Sequence, residues 1–152
     1  MQRCMTWLFG CALVALATLP SIARADHPRP YKGEFNFTIT SMTFPSATEV
    51  QIQASVDGHE THLGHFTGEV TYNVDLVTGA FVGQITKVAA NGDLLFDDLT
   101  GQFAPDFSSS TGSFVIVGGT GRFLEATGGG TFASTVLTTT LGHVTFDGTI
   151  SY

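Results

Sequence analysis

The chain has 152 residues, a length that predicts a single domain. Its first 25 residues have the layout of a cleaved export signal. The remainder carries four basic residues (Arg29, Lys32, Lys87, Arg122) against thirteen acidic ones, a net charge of −9. A surface of that sign repels phosphate backbones and has no run of Lys or Arg to neutralise them, which excludes nucleic acid as a partner.

Arg3 supplies a positive start, Trp7 to Ala17 an apolar run, Pro20 a break, and Ala23-Arg24-Ala25 a small-x-small cleavage site. The expected location is secreted or periplasmic, after cleavage following Ala25. The apolar run is too short to span a bilayer and no later stretch approaches ~18 apolar residues, so no transmembrane segment is expected. Leu8-Phe9-Gly10-Cys11 faintly resembles a lipobox, which makes lipidation at Cys11 the alternative. Here, however, the apolar run follows the cysteine instead of preceding it. Cleavage removes both Cys4 and Cys11, leaving no disulfide.

Residues 26–33, with Pro28 and Pro30, read as an extended lead-in to a domain over 34–152. Twenty Thr, 17 Gly and 12 Phe against two Lys in the mature part make a composition of strands and turns. Period-two alternation predicts about eight half-buried strands, near 34–42, 48–56, 60–75, 80–89, 93–103, 112–118, 130–138 and 143–152. Phe35, Phe37 and Ile39 alternate with polar residues, as do Phe66, Val70, Tyr72 and Val74. Asn91-Gly92 predicts a type I′ hairpin turn, and Asp57-Gly58, Thr78-Gly79 and Leu141-Gly142 mark further turns. Residues 104–112 read as a polar loop.

An apolar-x-Gly-x-apolar pattern recurs at Phe66–Val70, Phe81–Ile85, Leu99–Phe103 and Phe146–Ile150. Each glycine shares a face with its apolar neighbours, where it leaves room for a large ring opposite and lets the strand coil. The fold class that follows is all-β, a single antiparallel up-and-down β-barrel of about eight strands, with a β-sandwich as the alternative.

Gly118-Gly119-Thr120-Gly121-Arg122-Phe123 invites a nucleotide-binding reading, but that chemistry needs a helix inside a βαβ unit. Gly128-Gly129-Gly130 follows too closely for one, so the segment is read as a tight connection between barrel strands. Val117 through Gly128 resembles the Gly-Gly-Thr-Gly-basic-Phe segment of allene oxide cyclase and dirigent proteins, plant families of eight-stranded barrels with an apolar cavity. It is closer to small secreted bacterial proteins with the same barrel, in which segments like Thr61-His62-Leu63-Gly64 and Gly148–Tyr152 recur. The resemblance implies the barrel and a cavity. It carries over no catalytic acid or arginine.

His59, His62 and His65 are spaced by three, which is not the i, i+4 arrangement of a helical zinc motif. On a continuous strand His59 and His65 are solvent-facing and ~20 Å apart, so no metal site is expected. His62 shares the parity of Phe66 and Tyr72 and is expected inside the barrel. It would serve there as a hydrogen-bonded core residue or as a ligand donor. Arg122 is expected either to clamp a ligand carboxylate at the barrel mouth or to pair with Glu125 or a nearby loop carboxylate. Lys87 has the parity of Phe81 and Ile85 and is expected at the rim. Asp93, Asp97 and Asp98 read as a solvated acidic edge.

The expected function is binding of a small apolar molecule among aromatic rings, with His62, Phe66, Tyr72 and Arg122 as the ligand-binding residues and no cofactor. A cofactor-free cyclase or isomerase and a structural protein with a filled barrel are the alternatives. The sequence leaves the oligomeric state open.

Overall fold

Alternation of apolar and polar residues becomes eight antiparallel strands that close into one barrel in simple chain order. They are β1 (Arg29–Ser46), β2 (Glu49–Glu60), β3 (Gly64–Asp75), β4 (Ala80–Ala89), β5 (Leu94–Phe103), β6 (Ser109–Gly119), β7 (Thr127–Val136) and β8 (Leu141–Ser151). The structure, a computed structural model, describes residues 27–152. The segment expected to be an export signal and both cysteines lie outside the described residues.

Closure comes from β1, which pairs with β2 on one edge and β8 on the other. The sandwich alternative is thereby excluded. Arg29 to Gly33, expected as a lead-in, belong to β1 because they pair with Phe146 to Ile150. The loop expected over 104–112 shrinks to 104–108.

The interior is built from rings seated over glycines. Phe35 lies opposite Gly58, Phe37 opposite Gly142, Phe81 opposite Gly101 and Phe132 opposite Gly112. A Cβ on Gly101 would run into the ring of Phe81. Of the glycines in the recurring pattern, Gly101 lies opposite Phe81, Gly83 opposite Tyr72 and Gly148 opposite Tyr31, the partnership it predicted; Gly58, Gly112 and Gly142 do the same outside the pattern. The partnership also explains two corrections. Gly58 and Gly142 are not turn residues but the strand positions beneath Phe35 and Phe37.

The turns use positive φ where the geometry demands it. Gly92 has φ of 88° and Gly79 has φ of 76°. Asn91 is not left-handed, so its hairpin is not type I′. The Gly92 N–H closes a turn on the Ala89 carbonyl, and glycine alone takes the left-handed position. The strand expected over 60–75 is broken at 61–63, and Gly64, with φ of 70°, returns the chain into β3.

The two ends of the barrel differ. At one end, Leu63, Phe123 and Ala126 are buried over the strand ends, with Phe123 carried by a 3-10 turn at Gly121–Phe123. This end is closed. At the other end the connections 47–48, 76–79, 104–108 and 137–140 leave inward-facing Phe37, Phe103 and Phe132 only half buried. Exposed Phe44, Val77, Phe107 and Leu137 surround that opening. Phe107 is the one non-glycine with positive φ among the described residues (56°), a conformation that bulky side chains rarely take. Its ring packs 5.5 Å from that of Phe103.

Candidate functional site: a buried lysine beneath a phenylalanine-lined cavity

Four strands each place one polar residue on the inward parity of the closed half: Tyr31 on β1, Glu60 on β2, Lys87 on β4 and Asp97 on β5. All are buried, the Lys87 side chain to 3 % exposure and that of Asp97 to 1 %. The Lys87 ammonium donates to the Tyr31 hydroxyl at 2.8 Å, to Glu60 Oε2 at 3.3 Å and to Asp97 Oδ2 at 2.9 Å. These three contacts use all of its donors. Tyr31 in turn donates to Glu60 Oε2 at 2.6 Å. The ammonium also lies 4.5 Å from the ring centre of Phe146 and 5.4 Å from that of Phe66, both cation–π contacts. Lys87 faces Gly68 across the β3–β4 ladder, the arrangement used for the rings elsewhere.

The electrostatics hold the lysine charged. Burial alone favours the neutral amine, but the carboxylates of Asp97 and Glu60 outweigh it and raise the Lys87 pKa. For Glu60 burial is the largest influence and raises its pKa, against the pull of Lys87 and of the Tyr31 hydrogen bond. Burial, then the nearby Asp97 and Glu60, push Tyr31 well above the usual tyrosine value. Two carboxylate oxygens, Glu60 Oε1 and Asp97 Oδ1, are buried without a hydrogen-bond partner. An unpaired buried acceptor costs about 1–3 kcal/mol.

Lys87 and Asp97 form the floor of a cavity of about 70 Å³. Its walls are mostly aromatic and aliphatic, including Phe35, Phe37, Phe81, Phe114 and Phe132, and Tyr72 contributes a ring. Burial pushes the Tyr72 hydroxyl up to about 12. Nearer the open end Ser110 and Ser134 share a hydrogen bond of 2.7 Å in the cavity wall. The volume is below the roughly 150 Å³ that holds a benzene in an engineered apolar cavity. The cavity therefore fits a small group, and the half-buried Phe37, Phe103 and Phe132 line it towards the opening.

The four expected ligand-binding residues separate. Tyr72 lines the cavity. Phe66 is fully buried, packed on Phe35 and Lys87, behind the cavity wall. His62 lies in the 61–63 turn at the closed end instead of inside a strand. Its Nε2 donates to the Pro30 carbonyl at 2.9 Å, and its Nδ1 lies 3.1 Å from the Tyr152 hydroxyl. Arg122 donates to the His62 carbonyl at 2.8 Å and sits 3.7 Å from Asp93, the pairing with a loop carboxylate that was one of its two expected roles. His62 and Arg122 thus meet each other on the outside of the closed end, away from the cavity.

Lys87 is interior, not at the rim, because its ammonium finds two carboxylates there. Asp97 is likewise interior and no part of an exposed edge, while Asp98 on the opposite face takes a hydrogen bond from Gln84. Glu60 was overlooked, although it continues the parity of Val50, Ile52, Ala54 and Val56 to the last residue of β2. His59 and His65 are exposed, but the turn makes them cross-strand partners with ring centres 4.9 Å apart. Among the described residues no group of three or more His, Cys, Asp or Glu is placed to hold a metal ion, and no helix is long and apolar enough to cross a membrane.

No protein-family model matches the chain, and no curated protein matches it at a significant level.

Proposed function

We propose that this is an exported barrel that binds a small, largely apolar molecule inside its open half. The observation that carries the reading is the charged floor of an otherwise apolar cavity, Lys87 and Asp97 beneath phenylalanine rings. Binding sites for small molecules combine a mostly apolar wall with a few placed polar groups, and this interior has that composition. A core needing only stability gains little from a buried ion pair, since apolar residues of similar volume often serve as well or better. The half-buried rings at the open end supply a path of entry. The amino-terminal layout supports export to the periplasm or medium, and the resemblance of Val117–Gly128 to allene oxide cyclase-like barrels agrees with a cavity-bearing fold.

A cofactor-free isomerase is the second reading. The free Asp97 Oδ1 is a base that a bound substrate could reach, in a cavity that constrains substrate conformation. Lys87 is no nucleophile in such a scheme, because its amine is held protonated.

The test is native mass spectrometry of protein purified without detergent from a host that exports it, together with a thermal titration using octan-1-ol. A discrete extra mass lost on denaturation, or a melting temperature that climbs with alcohol concentration, supports binding. A bare polypeptide mass with no thermal shift returns the interior to a purely structural role.

A further inference from the structure

The binding reading leaves open which head group the floor selects, and the hydrogen-bond inventory decides it. All three donors of Lys87 are engaged by Tyr31, Glu60 and Asp97. Of the two carboxylates only Asp97 lines the cavity; with Oδ2 held by Lys87, Oδ1 is left as a buried acceptor without a donor. The floor itself therefore offers an occupant an acceptor and no free donor, while the hydroxyls of Tyr72, Ser110 and Ser134 lie in the walls nearer the opening. Two carboxylates against one ammonium also make it hostile to further negative charge. Arg122, the residue that could have received a carboxylate, is outside the cavity and bound to His62 and Asp93.

Resting on the binding reading, we infer that the ligand is a slim neutral amphiphile that enters head first and donates a hydrogen bond to Asp97 Oδ1. Its class is that of alcohols, phenols and primary or secondary amides, as opposed to fatty acids or other anions. The cavity takes the donor group, and the chain behind it parts Phe37, Phe103 and Phe132, the half-buried rings that line the same cavity towards the opening. An acceptor-only head leaves Asp97 Oδ1 unpaired, and an anionic head adds repulsion to that loss. A site built around an unpaired polar atom discriminates strongly against ligands that fail to satisfy it.

Isothermal titration calorimetry with three ligands of nearly equal length tests this on the unaltered protein: octan-1-ol, 1-methoxyheptane and octanoate at pH 7.5. The expected order is the alcohol first, with the ether and the carboxylate each weaker by about tenfold or more, the usual value of a hydrogen bond to a charged group. The variant Asp97→Asn, which turns an amide donor to the cavity while its oxygen stays with Lys87, is expected to narrow or reverse the gap between alcohol and ether. Equal binding of alcohol and ether, or preference for octanoate, overturns the inference while leaving the binding reading intact. Failure of all three to bind overturns the binding reading and this inference with it. The comparison on the unaltered protein decides the matter even if the variant does not fold.

Discussion

The Nδ1 of His62 lies 3.1 Å from the hydroxyl of Tyr152, the last residue of the chain, while its Nε2 donates to the carbonyl of Pro30 at the start of the barrel. Because a carbonyl can only accept, Nε2 carries the proton and Nδ1 accepts from the tyrosine. The ring therefore ties together both ends of the barrel wall and the β2–β3 turn. His62→Ala is expected to lower stability by about 1–2 kcal/mol, about 3–10 °C in melting temperature. Ligand affinity is expected to stay unchanged. A loss of binding at retained stability, measured by calorimetry, would return His62 to the ligand site.

Lys87→Met removes the one cation facing two buried carboxylates. Breaking a buried pair in this way costs about 3–5 kcal/mol. Combining it with Glu60→Gln and Asp97→Asn removes the stranded charges, and the triple variant is expected to recover much of the loss. Urea denaturation of the single and triple variants measures both steps, and a triple variant no better than the single one would contradict the electrostatic account.

Glu60 sets a pH dependence with a definite sign. Its pKa is raised in the folded state above the ordinary 4.5. The folded chain therefore holds the proton more tightly than the unfolded chain. The stabilisation is full below pH 4.5 and is lost as pH rises through the folded value. Asp75 and Asp106, lowered from 3.8 by turn hydrogen bonds, act oppositely and at lower pH, losing their contribution as the solution is acidified. Denaturation midpoints from pH 4 to 8 should fall less steeply with rising pH in Glu60→Gln than in the parent. Identical slopes would show that folding leaves the Glu60 pKa at its unfolded value.

Gly101→Val is a test of the ring-over-glycine construction. Its side chain would occupy the place of the Phe81 ring and come within 2.8 Å of the Thr111 carbonyl. Overpacking of this kind costs about 1–3 kcal/mol, and the paired change Phe81→Ala is expected to offset part of it. Thermal melts of the two single variants and the double variant give the coupling between the positions.

The barrel was legible in the sequence because parity and turn chemistry agree over most of its length. Phe35, Phe37, Phe81 and Phe103 all face inward as their alternation requires. The site was harder to read, for two reasons. A period-two pattern continues through Thr61-His62-Leu63 as easily as it stops there, and only Gly64, which must take positive φ, marks the break. Running one strand through that point turned His62 inward and hid the end of β2 at Glu60. The second reason is that Lys87, Asp97 and Glu60 are each unremarkable on their own strand. Their common parity becomes informative only when the registers set them beside one another, and those registers depend on turns and bulges such as the one between Phe96 and Asp97.

Seven of the eight ladders join strands that are neighbours in the chain, so each can form as soon as its second strand exists. The eighth, between β1 and β8, brings Thr38 to Leu141 and Arg29 to Ile150. Until the last strand arrives, β1 presents a row of unpaired amides and carbonyls that any passing strand could adopt. Closing so long a loop is also the slowest kind of contact to make. The order of synthesis thus leaves this protein exposed at its first strand for the whole time it takes to complete its last, and the chain must be kept apart from its own copies until then.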